Sequence, residues 1–165
     1  PWDVLCQLLY DELPTPRALR WTATIHRQSD VDIAFQYDHT LIMCDGNTLA
    51  PYGPLGEATS VYSYGWVGRA FRDYVKERGI LTFSQAINRM TGLVAQRLGL
   101  NDRGTLSTGN SADIILINPD DIRDVSTFEN PNVYVRGVTD VWVNGVQTVQ
   151  DSEHTGATAG RILTR

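Results

Sequence analysis

Thr40-Leu41-Ile42-Met43-Cys44-Asp45-Gly46 is the stretch on which the fold turns. Thr40–Cys44 is a short, uncharged, largely apolar run, the pattern of a strand buried on both faces in a parallel sheet. It stops abruptly at Asp45-Gly46. A carboxylate at the C-terminal end of a buried strand, followed by Gly and a long loop, stands where α/β barrels place their chemistry. Asp-Gly is equally a common turn pair. Position alone therefore leaves Asp45 as either a catalytic group or a turn residue.

Outward from this run, residues 47–65 read as one long loop, since Pro51, Gly53, Pro54, Gly56 and Gly65 all fall in it. Long loops in compact domains are often functional. Helical character resumes over 66–78, with Trp66, Phe71 and Tyr74 as core candidates. Thr82 and Gln85 form a T-x-x-Q capping box. Phe83, Ala86, Ile87, Met90, Leu93, Val94 and Leu98 then keep helical spacing, Gly92 offers a break and Gly99 a stop. On the N-terminal side, residues 2–10 have helical spacing until Pro14 and Pro16 interrupt. Residues 19–25 alternate as a strand does, and Ser29 is placed to cap a short helix over 30–37.

The texture changes after 103. Ala112–Ile117 reads as a strand ending at Asn118-Pro119. Val138–Val143, Asn144-Gly145 and Val146–Val149 specify a hairpin closed by a type I′ turn, because Asn-Gly tolerates the two positive φ angles required. The reading is an α/β part over 1–102 followed by a small β part over 103–165.

With 165 residues and a net charge of −5, the chain has the size of about one domain and no basic run to neutralise phosphates. No nucleic-acid partner is expected. Nor is a membrane, since no apolar stretch approaches the ~20 residues a span requires. Cys6 and Cys44 form no metal or redox pair, which makes a reducing, cytoplasmic setting the expectation. The chain shows no signal-peptide pattern, and it starts without Met on the apolar residues Trp2, Val4 and Leu5, as if inside a packed element. His26, His39 and His154 show neither His-x-His nor His-x-x-x-His spacing. A catalytic zinc wants about three protein ligands and an open position, and no such cluster is legible. No nucleophile elbow, P-loop or dinucleotide fingerprint is present either.

Taken together, these residues resemble the C-terminal region of the N-acyl-D-amino-acid deacylases (D-aminoacylases) of the amidohydrolase superfamily. Ile42-Met43-Cys44-Asp45-Gly46 is similar to the family's strand ending in Ser-Asp-Gly. Tyr64-Gly65-Trp66-Val67-Gly68-Arg69 resembles its Tyr-Gly-Thr-Phe-Pro-Arg stretch. Ala86–Thr91 with Leu98-Gly99-Leu100 resembles its paired helices. Arg103-Gly104 with Gly109, Ala112 and Asp113 resembles its return to the β-domain. Asn130-Pro131, Val141–Gly145, Glu153-His154-Thr155-Gly156 and Gly160-Arg161 resemble its ending.

The resemblance implies a metal-dependent (β/α)8 barrel flanked by a small β-sandwich. Residues 1–102 would be the last barrel units and 103–165 the closing strands of the sandwich. It implies hydrolysis of linear amide bonds in a small N-acyl amino acid or related amide. It implies zinc as cofactor, held mainly by residues of a barrel portion upstream of Pro1. Asp45 would be the family's catalytic aspartate and a metal ligand, taking a proton from the attacking water and passing it to the leaving amine. Two departures stand out. Cys44 replaces the family's Ser. The Arg that clamps the substrate carboxylate is absent, with Ser60-Val61-Tyr62 at the aligned place. Tyr62 and Arg69 are the substrate-binding candidates that remain, although Tyr cannot supply a guanidinium's bidentate grip. The partial chain is expected to be inactive alone. The competing reading is a non-catalytic amidohydrolase remnant that binds or scaffolds.

Overall fold

The computed structural model describes residues 2–11, 26–46, 50, 52–53 and 61–163. The chain divides into two compact units, Pro1–Val31 and Asp32–Arg165. In the first, helix α1 spans Trp2–Asp11, as its apolar spacing predicts, and Gln7 Nε2 donates to Asp11 Oδ1 one turn on at 2.7 Å. The strand expected over 19–25 lies outside the described residues. Helix α2, Gln28–Gln36, starts earlier than its expected cap. Ser29 lies inside the helix, and the Arg27 carbonyl accepts from the amides of Asp30 and Val31 at 3.0 and 3.3 Å.

In the second unit, helix α3 spans Val61–Ala70 and runs on as a π-helical segment, Phe71–Glu77. This corrects the loop expected over 47–65, whose last five residues are helical. Gly65 and Gly68 are poor helix formers, but they let α3 approach another part of the chain. A Cβ on Gly68 would stand only 2.6 Å from the Arg123 carbonyl oxygen and closer still to backbone atoms of Arg123 and Asp124. Tertiary packing therefore overrides propensity here. The segment then ends with the Leu81 amide donating to the Tyr74 carbonyl at 3.0 Å.

Helices α4 (Phe83–Met90) and α5 (Gly92–Leu98) follow as the sequence directs. Thr82 and Gln85 form both halves of the capping box, and Thr91 with Gly92 divides the pair. Gly99 closes α5 in the left-handed region at φ 71°. Gly104, also at positive φ, seats against Gly92 and Ala95 beside that break.

The chain then forms one antiparallel sheet in the order β1 (Ile114–Ile117), β2 (Val138–Val143), β3 (Val146–Gln150), β4 (Glu153–His154). Val143 faces Val146 across the Asn144-Gly145 turn, whose φ angles of 49° and 80° are those of a type I′ hairpin. Arg103 anchors the entry to the sheet. Its Nη1 meets Asp113 Oδ2 at 2.5 Å, and its Nη2 meets Asp102 and the Ser111 hydroxyl, each at 3.2 Å. Asp113 in turn accepts from the Asn144 amide at 2.8 Å, so the same carboxylate holds the hairpin turn.

The apolar run Thr40–Cys44 forms no strand, a correction to the buried strand expected there. A strand requires a neighbouring strand to accept its ladder. Among the described residues the neighbour is a helix end, where the Arg89 carbonyl accepts from the Ile42 amide at 3.2 Å. Ile42 still enters the core, beside Phe71, Leu81, Ala86 and Ile122. Ile117, Val135 and Val138 pack on the same cluster from the sheet side. The change from helices to strands after residue 103 is thus not a break in packing. Arg89, the one charged core residue among those described, donates to the Phe35 carbonyl at 2.5 Å and reaches Asp38 at 3.4 Å. This answers the cost of an unpaired buried charge.

Candidate active site

Asp45 is exposed and follows the apolar run at the N-terminal turn of α3. Two polar contacts and one close approach put it there. The Cys44 thiol donates to the Tyr62 carbonyl across 3.4 Å, and the Gly46 amide donates back to Cys44 Sγ at 3.1 Å. Gly46 lies against Ser63, where an added Cβ would be 3.1 Å from the Ser63 Cα. Asp45 is thus tied to the helix turn that carries Tyr62.

Tyr62 and Arg69 are seven positions apart, which is two helical turns, so they share one face of α3. Both line an open cavity of about 300 Å³ between α3 and the segment 124–129, with Trp66, Arg72, Asp124 and Glu129. Asp45 is not among its lining residues. The structure therefore brings Tyr62 and Arg69 together in a pocket, and places Asp45 beside the first turn of the same helix.

The charges of the pocket are largely spent on one another. Arg69 Nε donates to Asp73 Oδ2 at 3.1 Å. Arg72 Nε donates to the other Asp73 oxygen at 2.8 Å. Arg72 Nη1 stands 2.6 Å from Asp124 Oδ1, at an angle that makes an ion pair and not a hydrogen bond. Burial pulls the Arg72 guanidinium down, but the Asp73 hydrogen bond and the charges of Asp124, Asp73 and Glu77 outweigh it and hold it above its ordinary value. Glu129 is held below the usual carboxylate range by its own backbone amide and the Thr127 hydroxyl. With Asp73, Asp124 and Glu129 beside two arginines, the pocket is not a basic anion trap. The Arg69–Asp73 pair was legible as an i,i+4 spacing. Asp124 carries no local signal, because it reaches Arg72 only through the packing of Gly65 and Gly68 on 123–126.

Among the described residues, no three His, Cys, Asp or Glu side chains come together as a metal would require. One exposed carboxylate is not a zinc site. These residues alone do not fit the metal.

A model described as the Amidohydrolase family matches residues 45–149, more than half of the chain and starting at Asp45, and the chain belongs to that family. Similar proteins from Alcaligenes xylosoxydans xylosoxydans narrow it. A D-aminoacylase is 31% identical over 94% of this chain, and an N-acyl-D-aspartate deacylase is 37% identical over 82%. A crystal structure of D-aminoacylase superposes on 84% of the chain with a TM-score of 0.75 and 32% identity. An N-acyl-D-glutamate deacylase from Bordetella bronchiseptica, solved with zinc and a phosphonate mimic of the tetrahedral intermediate, superposes on 74% with a TM-score of 0.65 and 30% identity. Within the amidohydrolase superfamily, the place of this chain is the D-aminoacylase family. The chain spans only 31% and 26% of the length of the two Alcaligenes relatives, and 28% and 24% of the two solved structures.

Proposed function

We propose that this chain is the part of a metal-dependent N-acyl-D-amino-acid deacylase that supplies its proton-transferring group, Asp45. The observation that carries this reading is the placement of Asp45 at the start of the family match, exposed and tied to the first turn of α3. Deacylation needs one group that takes a proton from the attacking water and returns it to the leaving amine. A carboxylate held by its backbone, with its side chain in the open, can do both.

In this reading residues 1–102 are the last units of a (β/α)8 barrel and 103–165 the closing strands of a β-sandwich. Zinc is held mainly by residues outside this chain, with Asp45 as its one contribution. The zinc-bearing relative supports that cofactor. The substrate is a small N-acyl-D-amino acid or related amide, bordered by Tyr62 and Arg69. A reducing, cytoplasmic setting belongs to the same proposal. The second reading, a non-catalytic remnant that binds or scaffolds, draws on one observation. Arg69, the remaining substrate-binding arginine, is already engaged by Asp73.

The test is Asp45→Asn in the complete polypeptide that carries this chain. General acid–base groups are typically worth about 10²–10⁴ in rate. The expected result is a loss of kcat at or above that range, with only a modest change in metal content. Near-normal turnover with metal in place would return Asp45 to the role of a turn residue.

A further inference from the structure

We infer that Cys44 is a positioning residue for Asp45, acting through its thiol. This rests on the reading of Asp45 as the proton-transferring group. The structural basis is independent of that reading. A thiol is a weak donor and a weak acceptor, and here it is used as both. Cys44 Sγ–H donates to the Tyr62 carbonyl and Sγ accepts from the Gly46 amide, so one side chain spans the turn that carries Asp45 and fastens it to α3.

The Tyr62 carbonyl belongs to the first turn of α3, and the Gly46 amide belongs to the residue after Asp45. The thiol therefore fixes the backbone on both sides of the carboxylate. Gly46 completes the clamp. Its missing Cβ would stand 3.0 Å from Cys44 Sγ and 3.1 Å from the Ser63 Cα, so the turn sits flat on the helix. Among the described residues, the thiol clamp and the approach of Gly46 to Ser63 hold the backbone at Asp45 against α3. Misplacing a catalytic group by about 1 Å can cost about 10²-fold in rate, so weak contacts at this position have kinetic weight beyond their contribution to stability.

The chemistry of the clamp sets what can replace it. A hydroxyl can also donate to a carbonyl and accept from an amide, so Cys44→Ser keeps both contacts. Cys44→Val keeps roughly the volume and loses both. Cys44→Ala loses both and leaves a small space.

The experiment uses the complete polypeptide, with kcat, KM, metal content and thermal unfolding measured for Cys44→Ser, Cys44→Val and Cys44→Ala beside Asp45→Asn. The expected pattern is a kcat lowered about tenfold in the Val and Ala variants, within the range for a displaced group. KM, metal content and unfolding temperature should stay near those of the parent, and Cys44→Ser should retain kcat within about threefold, a difference under ~1 kcal/mol. A purely packing role predicts the opposite order, with Val tolerated and unfolding temperature tracking activity. The inference is overturned if Cys44→Val turns over like the parent while Asp45→Asn is inactive, a result that leaves the function of Asp45 standing. It is overturned together with that function if Asp45→Asn itself remains active. Should Cys44→Ala fail to fold, the Val and Ser pair decides alone.

Discussion

Gly68→Ala is the substitution for which the structure gives the sharpest number. In an isolated helix the change is favourable by about 1 kcal/mol, because Ala has the higher helix propensity. Here the new Cβ would stand 2.6 Å from the Arg123 carbonyl oxygen, where ordinary contact begins at 3.4 Å. It would be about 0.8 Å too close to one backbone atom and would meet two others as well. Backbone cannot rotate away as a side chain can, so α3 or the segment 123–126 must shift. Overpacking of this kind typically costs about 1–3 kcal/mol and occasionally more. Taking the upper end against the propensity gain leaves a net loss of about 2 kcal/mol. Gly65→Ala is the internal control. Its worst neighbour is the Ser126 hydroxyl, a side-chain atom that can turn aside. It should be near neutral, and combining it with Ser126→Ala should make it stabilising. Urea unfolding followed by far-ultraviolet circular dichroism reads both. Equal or greater stability for Gly68→Ala would refute the close approach of α3 to 123–124, and with it the packing that brings Asp124 to Arg72.

Two further predictions concern the core and the acid response. Ile122 is fully buried between the helices and the sheet; Ile122→Ala should destabilise by about 2–5 kcal/mol, and helical and strand signals should be lost in one transition, since separate transitions would show that the two parts do not share a core. The Asp102 carboxyl is held below its ordinary value by the Ser111 hydroxyl and Arg103. A depressed folded value adds stability above the unfolded value of about 3.9, and that stability is lost as pH falls through the folded one. Ser111→Ala should therefore lower stability at neutral pH, with the deficit vanishing as pH falls below the folded value, and should raise the midpoint of acid unfolding. An unchanged acid midpoint would show that the cluster contributes nothing through Asp102.

Much of the molecule is legible one segment at a time. Thr82 and Gln85 announce the start of α4, Gly99 the end of α5, and Asn144-Gly145 the hairpin with its register, because each depends on contacts within a few residues. The candidate site is legible only in part. Asp45 is flagged by what precedes and follows it, and Arg69–Asp73 by helical spacing. The join of Arg72 to Asp124 and the hold of Cys44 on Tyr62 have no sequence period, since their partners lie on separate elements. Two local readings fail for one reason. Thr40–Cys44 has the composition of a buried strand, but composition cannot supply the neighbour that a ladder needs. Val61–Gly65 has the glycine content of a loop, but the glycine serves a close approach that only the fold reveals.

The sequence by itself thus determines the capped helices, the hairpin and the identity of Asp45 as the carboxylate to examine, because these follow from backbone propensities and local hydrogen bonds. Only the tertiary structure decides that Asp45 lies against the first turn of α3, that Tyr62 and Arg69 share a pocket, and that Arg72 meets Asp124 there. Side chains remote in sequence find one another through excluded volume and the burial of Ile42, Phe71 and Ile122, and that outcome belongs to the whole fold and to no segment of it.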